Sequence, residues 1–287
     1  MDPVTRGDFF AAQGWYPAQD EACGWQIQAF LDGFDIGALP PERLRCGIVP
    51  HAGWMFSGSL AAQTIGALAR HADQVDTVVL LGGHLGPGSA SWILRQGTWP
   101  TPVGDLEVDG ELAEAVARET GWLPIGPGDY QPDNTIELQL PILRHCFGNS
   151  RLVAAGVPAA PDSGEAGAAV VRAAEDLGRD IVVIGSTDLT HYGPSYGFSP
   201  AGSGEEAVQW VKEENDARAV DLMVNLDPET LVPEALEKHF CCCPGATAAT
   251  LGAARALGVQ KGHVLSTLTS YDVRPGSSFV GYAAVVF

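Results

Sequence analysis

The chain is poor in positive charge. Sixteen lysines and arginines stand against 35 aspartates and glutamates in 287 residues, a formal charge of −19. Only three of the sixteen are lysines, Lys212, Lys238 and Lys261. Neutralising a phosphate backbone needs a Lys/Arg surface, and no basic cluster occurs, so no nucleic-acid partner is expected. Long apolar runs are also missing. Residues 77–81 and 181–184 are among the longest, far short of the roughly 20 residues that span a bilayer. No basic segment followed by an apolar stretch opens the chain, so no secretory signal, no membrane partner and a cytoplasmic location are expected. Cysteine is present without the spacings that staple a fold. Of Cys23, Cys46, Cys146, Cys241, Cys242 and Cys243, three are consecutive and none forms a Cys-x-x-Cys pair. Neither a disulfide framework nor a zinc ribbon nor a thioredoxin-like site is indicated.

What is present is the composition of a globular protein, 46% hydrophobic and 18% charged. Apolar runs bounded by glycine or histidine predict buried strands at about 46–50, 76–82, 152–157, 181–185, 263–270 and 279–286. Between them helical periodicity covers about 22–32, 57–70, 109–120, 134–146, 163–178, 204–223, 227–238 and 246–257. Strands alternating with helices indicate βαβ units and an α/β fold with a largely parallel sheet covered on both faces. Asp109, Asp162 and Asp227-Pro228 sit where helix starts are expected. No repeat or linker separates two cores, so 1–287 reads as one domain.

Three histidines stand where an apolar run gives way to glycine: His51 in Val-Pro-His-Ala-Gly, His84 in Gly-Gly-His-Leu-Gly, and His191 in Ser-Thr-Asp-Leu-Thr-His-Tyr-Gly. Strand exits are where open α/β sheets place their chemistry. One such histidine is more often bonded within its own loop; a pair in successive βα turns points to a metal or catalytic site, because neutral imidazole is a common ligand of zinc, copper and iron. Asp188 precedes His191 by three residues, a spacing that lets it orient the ring or lets both face one cavity as acid and base. Helix capping by Ser186, Thr187 or Asp188 is the competing role. Cys241-Cys242-Cys243 precede a helix, whose dipole favours a thiolate; packing as small apolar groups is the alternative, expected for at least one of the three. Glu137 is balanced between site carboxylate and ordinary capping with Asp133 or Asn134. Gly82-Gly83-His84-Leu85-Gly86 lacks the G-x-G-x-x-G spacing, which argues against a dinucleotide.

Together these segments resemble the Memo family, which includes the bacterial proteins called AmmeMemoRadiSam system protein B. The resemblance runs from Arg6, Phe9 and Trp15-Tyr16-Pro17 through Pro50-His51-Ala52-Gly53-Trp54, Phe56-Ser57-Gly58 and Gly83-His84. It continues through Glu137-Leu138-Gln139-Leu140-Pro141 and Ser186-Thr187-Asp188-Leu189-Thr190-His191-Tyr192 to Val280-Gly281-Tyr282-Ala283. It implies a three-layer α/β/α fold like that of class III extradiol dioxygenases, which cleave catechol rings with non-haem iron. It also implies a metal site of two histidines and a cysteine holding iron or copper, with zinc the lesser expectation. By motif the ligands are His51, His84 and Cys242, the last matched by counting back from the helix end at Leu257-Gly258. Relatives place glycine after that cysteine, where this chain has Cys243, so the register extends over Cys241, Cys242 and Cys243. Asp188 and His191 then line the pocket as catalytic groups. Two functions are compatible with this pattern: a metal-dependent redox enzyme on an unidentified small molecule, or a non-catalytic protein binding a metal or a peptide, phosphotyrosine peptides included. Hydrolysis by zinc-bound water is a third.

Overall fold

The computed structural model describes residues 8–34, 43–71 and 74–287; Arg6 lies outside them. In chain order the strands are β1 (Cys46–Val49), β2 (Thr77–Gly82), β3 (Trp92–Leu94), β4 (Thr98–Trp99), β5 (Leu106–Glu107), β6 (Leu123–Ile125), β7 (Arg151–Gly156), β8 (Ile181–Ser186), β9 (His191–Tyr192), β10 (His263–Thr269) and β11 (Phe279–Val286). The α-helices are α1 (Asp20–Asp32), α2 (Trp54–Arg70), α3 (Gly110–Thr120), α4 (Asn134–Glu137), α5 (Leu140–Phe147), α6 (Ser163–Asp176), α7 (Glu205–Trp210), α8 (Asp216–Val224), α9 (Pro228–Lys238), α10 (Pro244–Ala256) and α11 (Ser270–Val273).

The main sheet runs β10-β11-β1-β8-β2-β7-β3-β6, with β9 added against β11. Its centre, β1-β8-β2-β7, is parallel throughout. Antiparallel pairs flank it, β11 against β1 and β10 on one side and β3 against β7 on the other. Strands buried on both faces are near-continuous apolar runs, and β2 and β8 are buried along their whole length. Alternate side chains serve opposite cores. Val79, Leu81, Val153 and Val183 pack with α3, α6, α9 and α10, whereas Val78, Leu80, Leu152 and Ile184 pack with α1, α2 and α5. The result is the three-layer α/β/α architecture that the sequence pattern predicts. On the first face α6 and α10 meet backbone to backbone, where a Cβ on Gly167 or Gly252 would run into the carbonyl of Ala249 or Gly164.

Helix starts at Gly110, Ser163 and Pro228 agree with the sequence, and Asp109 and Asp227 accept a hydrogen bond from the third residue on. Two expected helices are interrupted. The stretch 134–146 divides into α4 and α5 because Pro141, in the first turn of α5, has no N–H to continue the ladder. The stretch 204–223 contains a π-turn, Val211–Asn215, between α7 and α8. That extra residue per turn brings Asn215 and Asp216 inward together, onto Thr190. Asn215 Nδ2 donates to Thr190 Oγ1 at 2.9 Å, and Asp216 Oδ1 accepts from Thr190 N at 3.1 Å and Thr190 Oγ1 at 2.5 Å. The short strands β3 to β6 and β9 escape periodicity because each has only two or three residues.

Burial pushes the Asp216 carboxyl up to about 7, against the two hydrogen bonds from Thr190. A carboxyl whose folded pKa is raised favours folding while protonated, and that contribution is lost as pH climbs from about 4 to about 7. Asp216→Asn removes the titration and keeps an acceptor. The variant should therefore gain on the native chain by up to about 1.4 kcal/mol per pH unit across this window. Denaturant midpoints measured at pH 5, 6 and 7 check it; a constant difference between the two proteins contradicts it.

Candidate metal centre

Three neighbouring parallel strands, β1, β8 and β2, deliver His51, Asp188 and His84 at their C-terminal ends. That edge is where crevices open in sheets of this kind. After β2 the chain turns through Gly83 at φ +90°, and the Gly83 N–H donates to Thr135 Oγ1 at 2.7 Å. This turn sets His84 over the sheet edge, against α4. The third arm is the segment Cys241-Cys242-Cys243 before α10, with Cys243 at the N-cap position.

Each histidine is fixed through one ring nitrogen. The buried His51 places Nδ1 3.1 Å from Ser186 Oγ and Nε2 3.3 Å from Cys242 Sγ. His84, about half exposed, places Nδ1 3.4 Å from Asp133 Oδ1 and hydrogen-bonds Cys242 with its ring. The two rings meet edge to face, with centroids 5.0 Å apart. Cys242 is held in turn: Asp188 N donates to its sulfur at 3.2 Å, and its own N–H donates to Asp188 O at 3.1 Å. Ligand atoms of His51, His84, Cys242 and Cys243 all lie within 4.8 Å of one another, a group able to hold a metal ion. Ligating histidines elsewhere are fixed in this way, one nitrogen on the ion and the other on a carboxylate or similar acceptor.

Burial alone would raise the Cys242 thiol. The Cys243 thiol, the charge and hydrogen bond of His51 and the hydrogen bond of His84 outweigh it and hold Cys242 well below the ordinary thiol range. Asp133 raises His84 to about 10, with help from Cys242 and against burial. Asp133 itself is lowered to about 2, because His84 and Thr135 overcome the effect of burial. The pocket therefore carries its own counter-charges: thiolate and carboxylate against two imidazoles.

Asp188 and His191 reach the same cavity, a space of about 1010 Å³ also lined by His51, His84, Trp15, Phe56 and Tyr196. Asp188 Oδ1 accepts from His51 N at 2.7 Å, and its Oδ2 is 3.8 Å from His51 Nε2. His191 Nδ1 lies 3.2 Å from Leu189 O, with its ring edge-on to Tyr196. Asp188 thus bonds His51, while His191 is oriented by its own backbone; the chain passes from β8 to β9 with no helix for Ser186, Thr187 or Asp188 to cap.

A family model for Memo-like proteins matches residues 10–286. The chain belongs to the Memo family. It is 35% identical to a MEMO1 family protein of Methanopyrus kandleri, over 99% of this chain and 98% of that one. It is 31% identical to one of Thermococcus onnurineus over the same shares. Its fold is similar to that of an uncharacterized protein from Escherichia coli K12, with a TM-score of 0.56 and 14% identity over 85% of this chain and all of that one.

In this Memo-family chain Asp133 is the N-cap of α4 with Glu137 in its first turn, as the capping alternative has it, but the Glu137 carboxylate itself does other work. It does not line the cavity and does not complete a box with Asp133, which caps α4 alone through Thr135 N at 2.8 Å. Its buried carboxylate crosses to the N-terminal segment, accepting from Phe9 N, Phe10 N and Ala11 N at 3.1, 2.7 and 3.3 Å and from Tyr16 OH at 3.1 Å. The carboxylate thereby fastens the Trp15-Tyr16 wall of the cavity. In the sequence Asp133 and Ser186 are only candidate caps; their placement behind His84 and His51 depends on α4 packing against β2 and on β8 lying beside β1, which no local pattern encodes. Glu137→Ala removes the shared acceptor and should cost about 2–3 kcal/mol, with amide exchange at residues 9–11 accelerated. Unchanged protection there would contradict this anchoring.

Proposed function

We propose that the protein is a metal-dependent redox protein of dioxygenase-like type, holding one ion of iron or copper between His51, His84 and Cys242 and acting on a small aromatic molecule in the adjoining cavity. One observation carries this reading: two imidazoles, each fixed at Nδ1 by Ser186 or Asp133, converge with a thiol at the C-terminal edge of the sheet. Bound there, such an ion supplies Lewis acidity and electrons for O₂ chemistry, and a thiolate among its ligands favours the softer copper. The remaining work falls to the chain. Leu189 O can only accept, so the neutral form of His191 carries its proton on Nδ1 and keeps a lone pair on Nε2. That nitrogen serves as the base for a phenolic proton of a bound ligand. Trp15, Phe56 and Tyr196 offer faces and edges against which an aromatic ring packs. Asp188 keeps the backbone of His51 in place and supplies negative charge beside its imidazole.

The test combines metal analysis, on protein purified without exposure to affinity-column metal, with O₂ uptake over a panel of catechols. One ion per chain is expected. His51→Ala and His84→Ala should lose it, whereas His191→Ala should keep it and lose turnover by roughly 10²–10⁴-fold. Full metal content in both ligand variants contradicts the assignment. Metal without O₂ uptake on any substrate moves the reading to a non-catalytic binding protein.

A further inference from the structure

The three consecutive cysteines do not share one environment. Cys241 Sγ turns away from the histidines, toward Thr187 Oγ1 at 3.2 Å and Thr247 Oγ1 at 3.5 Å. Cys242 and Cys243 turn to each other, their sulfurs 3.7 Å apart. Among the described residues the Cys243 sulfur has no other hydrogen-bond partner, although it is buried. Both backbones are pinned: Cys242 N donates to Asp188 O and Cys243 N to Thr187 Oγ1, each at 3.1 Å. Two adjacent thiols are thus presented to two imidazoles by fixed main chain.

Two of the separations match the edges of a coordination tetrahedron. With metal–sulfur bonds of about 2.3 Å and metal–nitrogen bonds of about 2.0 Å, edges of about 3.8 Å between sulfurs and about 3.5 Å between sulfur and nitrogen follow. The observed values are 3.7 Å for Cys242 to Cys243 and 3.3 Å for Cys242 to His51 Nε2. No pair in the group of four exceeds 4.8 Å.

We infer that Cys243 is a fourth protein ligand, so that the centre is a two-histidine, two-cysteine site built for a soft four-coordinate ion, copper(I) ahead of iron(II). The inference rests on the proposal that His51, His84 and Cys242 hold an ion, and goes beyond it in ligand count and in ion. Two thiolates with two imidazoles are the donor set of tetrahedral soft-metal sites, whereas an iron centre that activates O₂ keeps open positions among harder ligands. A four-donor site is also closed, so a cavity ligand that binds the ion has to displace one donor.

Cobalt(II) titrated anaerobically into metal-free protein reads the donor set directly. The native chain should show tetrahedral ligand-field bands and a sulfur-to-cobalt charge-transfer band about twice as intense as in Cys243→Ala. Copper(I) affinity measured by chelator competition should fall at least about 10-fold in the variant, since losing even an outer partner of a ligand costs that much. If Cys243→Ala does not fold, X-ray absorption of the zinc-loaded native protein counts the sulfurs instead, with two expected. Equal charge-transfer intensity in the two proteins, or a single sulfur at zinc, overturns the fourth ligand and leaves the three-residue site standing. Failure of the native chain to take up cobalt or zinc overturns both.

Discussion

The geometry of the site depends on one buried carboxylate. Asp188 lies two residues past the end of the central strand β8 and touches two of the proposed ligands: its Oδ1 takes the N–H of His51, while its main chain exchanges contacts with Cys242 in both directions. His51 arrives from β1 and Cys242 from the turn before α10, elements about 190 residues apart in sequence. Nothing local could bring them to 3.3 Å. The parallel pairing of β1 and β8, in register from Cys46 with Val183 to Val49 with Ser186, sets the first approach, and Asp188 converts it into a fixed position. Burying a charge is costly unless it is paired, and deleting one member of a buried pair strands the other at a cost of about 3–5 kcal/mol. The constraint therefore holds in both directions.

The same economy extends outward. Ser186 sits behind His51 and Asp133 behind His84, so each imidazole is steered by a polar partner from a different element. Glu137, in the turn after Asp133, fastens the N-terminal segment that walls the cavity. On the far side, the π-turn before α8 aims Asn215 and Asp216 at Thr190, next to His191. Polar groups buried around the site are bonded to segments that bear its functional side chains.

Much of this is legible in the sequence, for physical reasons that also explain what is not. The four parallel strands announce themselves because a strand buried on both faces is apolar over most of its length, as β2 is from Val78 to Leu81 and β8 from Ile181 to Ile184. His51 and His84 stand out because glycine and a strand end flank each of them. Asp188 and His191 read as a pair from spacing, yet the fold pairs Asp188 with His51, a relation that depends on β8 lying beside β1. Cys243 is the clearest case of hidden information. A run of three cysteines does not say which sulfurs turn inward, and Thr187, which draws Cys241 aside and holds the Cys243 amide, is 54 residues distant from the first of them. The short strands β3 to β6 leave no periodic trace at all.

The central claim is that an ion sits at the C-terminal edge of the sheet, among His51, His84 and the Cys242 thiol. Anomalous diffraction from crystals of the protein loaded with copper, recorded on either side of the copper absorption edge, locates such an ion independently of any activity. The account predicts a single strong peak within bonding distance of His51 Nε2, the His84 ring and Cys242 Sγ, about 2.0–2.3 Å from each. A peak elsewhere on the chain, with these three side chains unliganded, would contradict it.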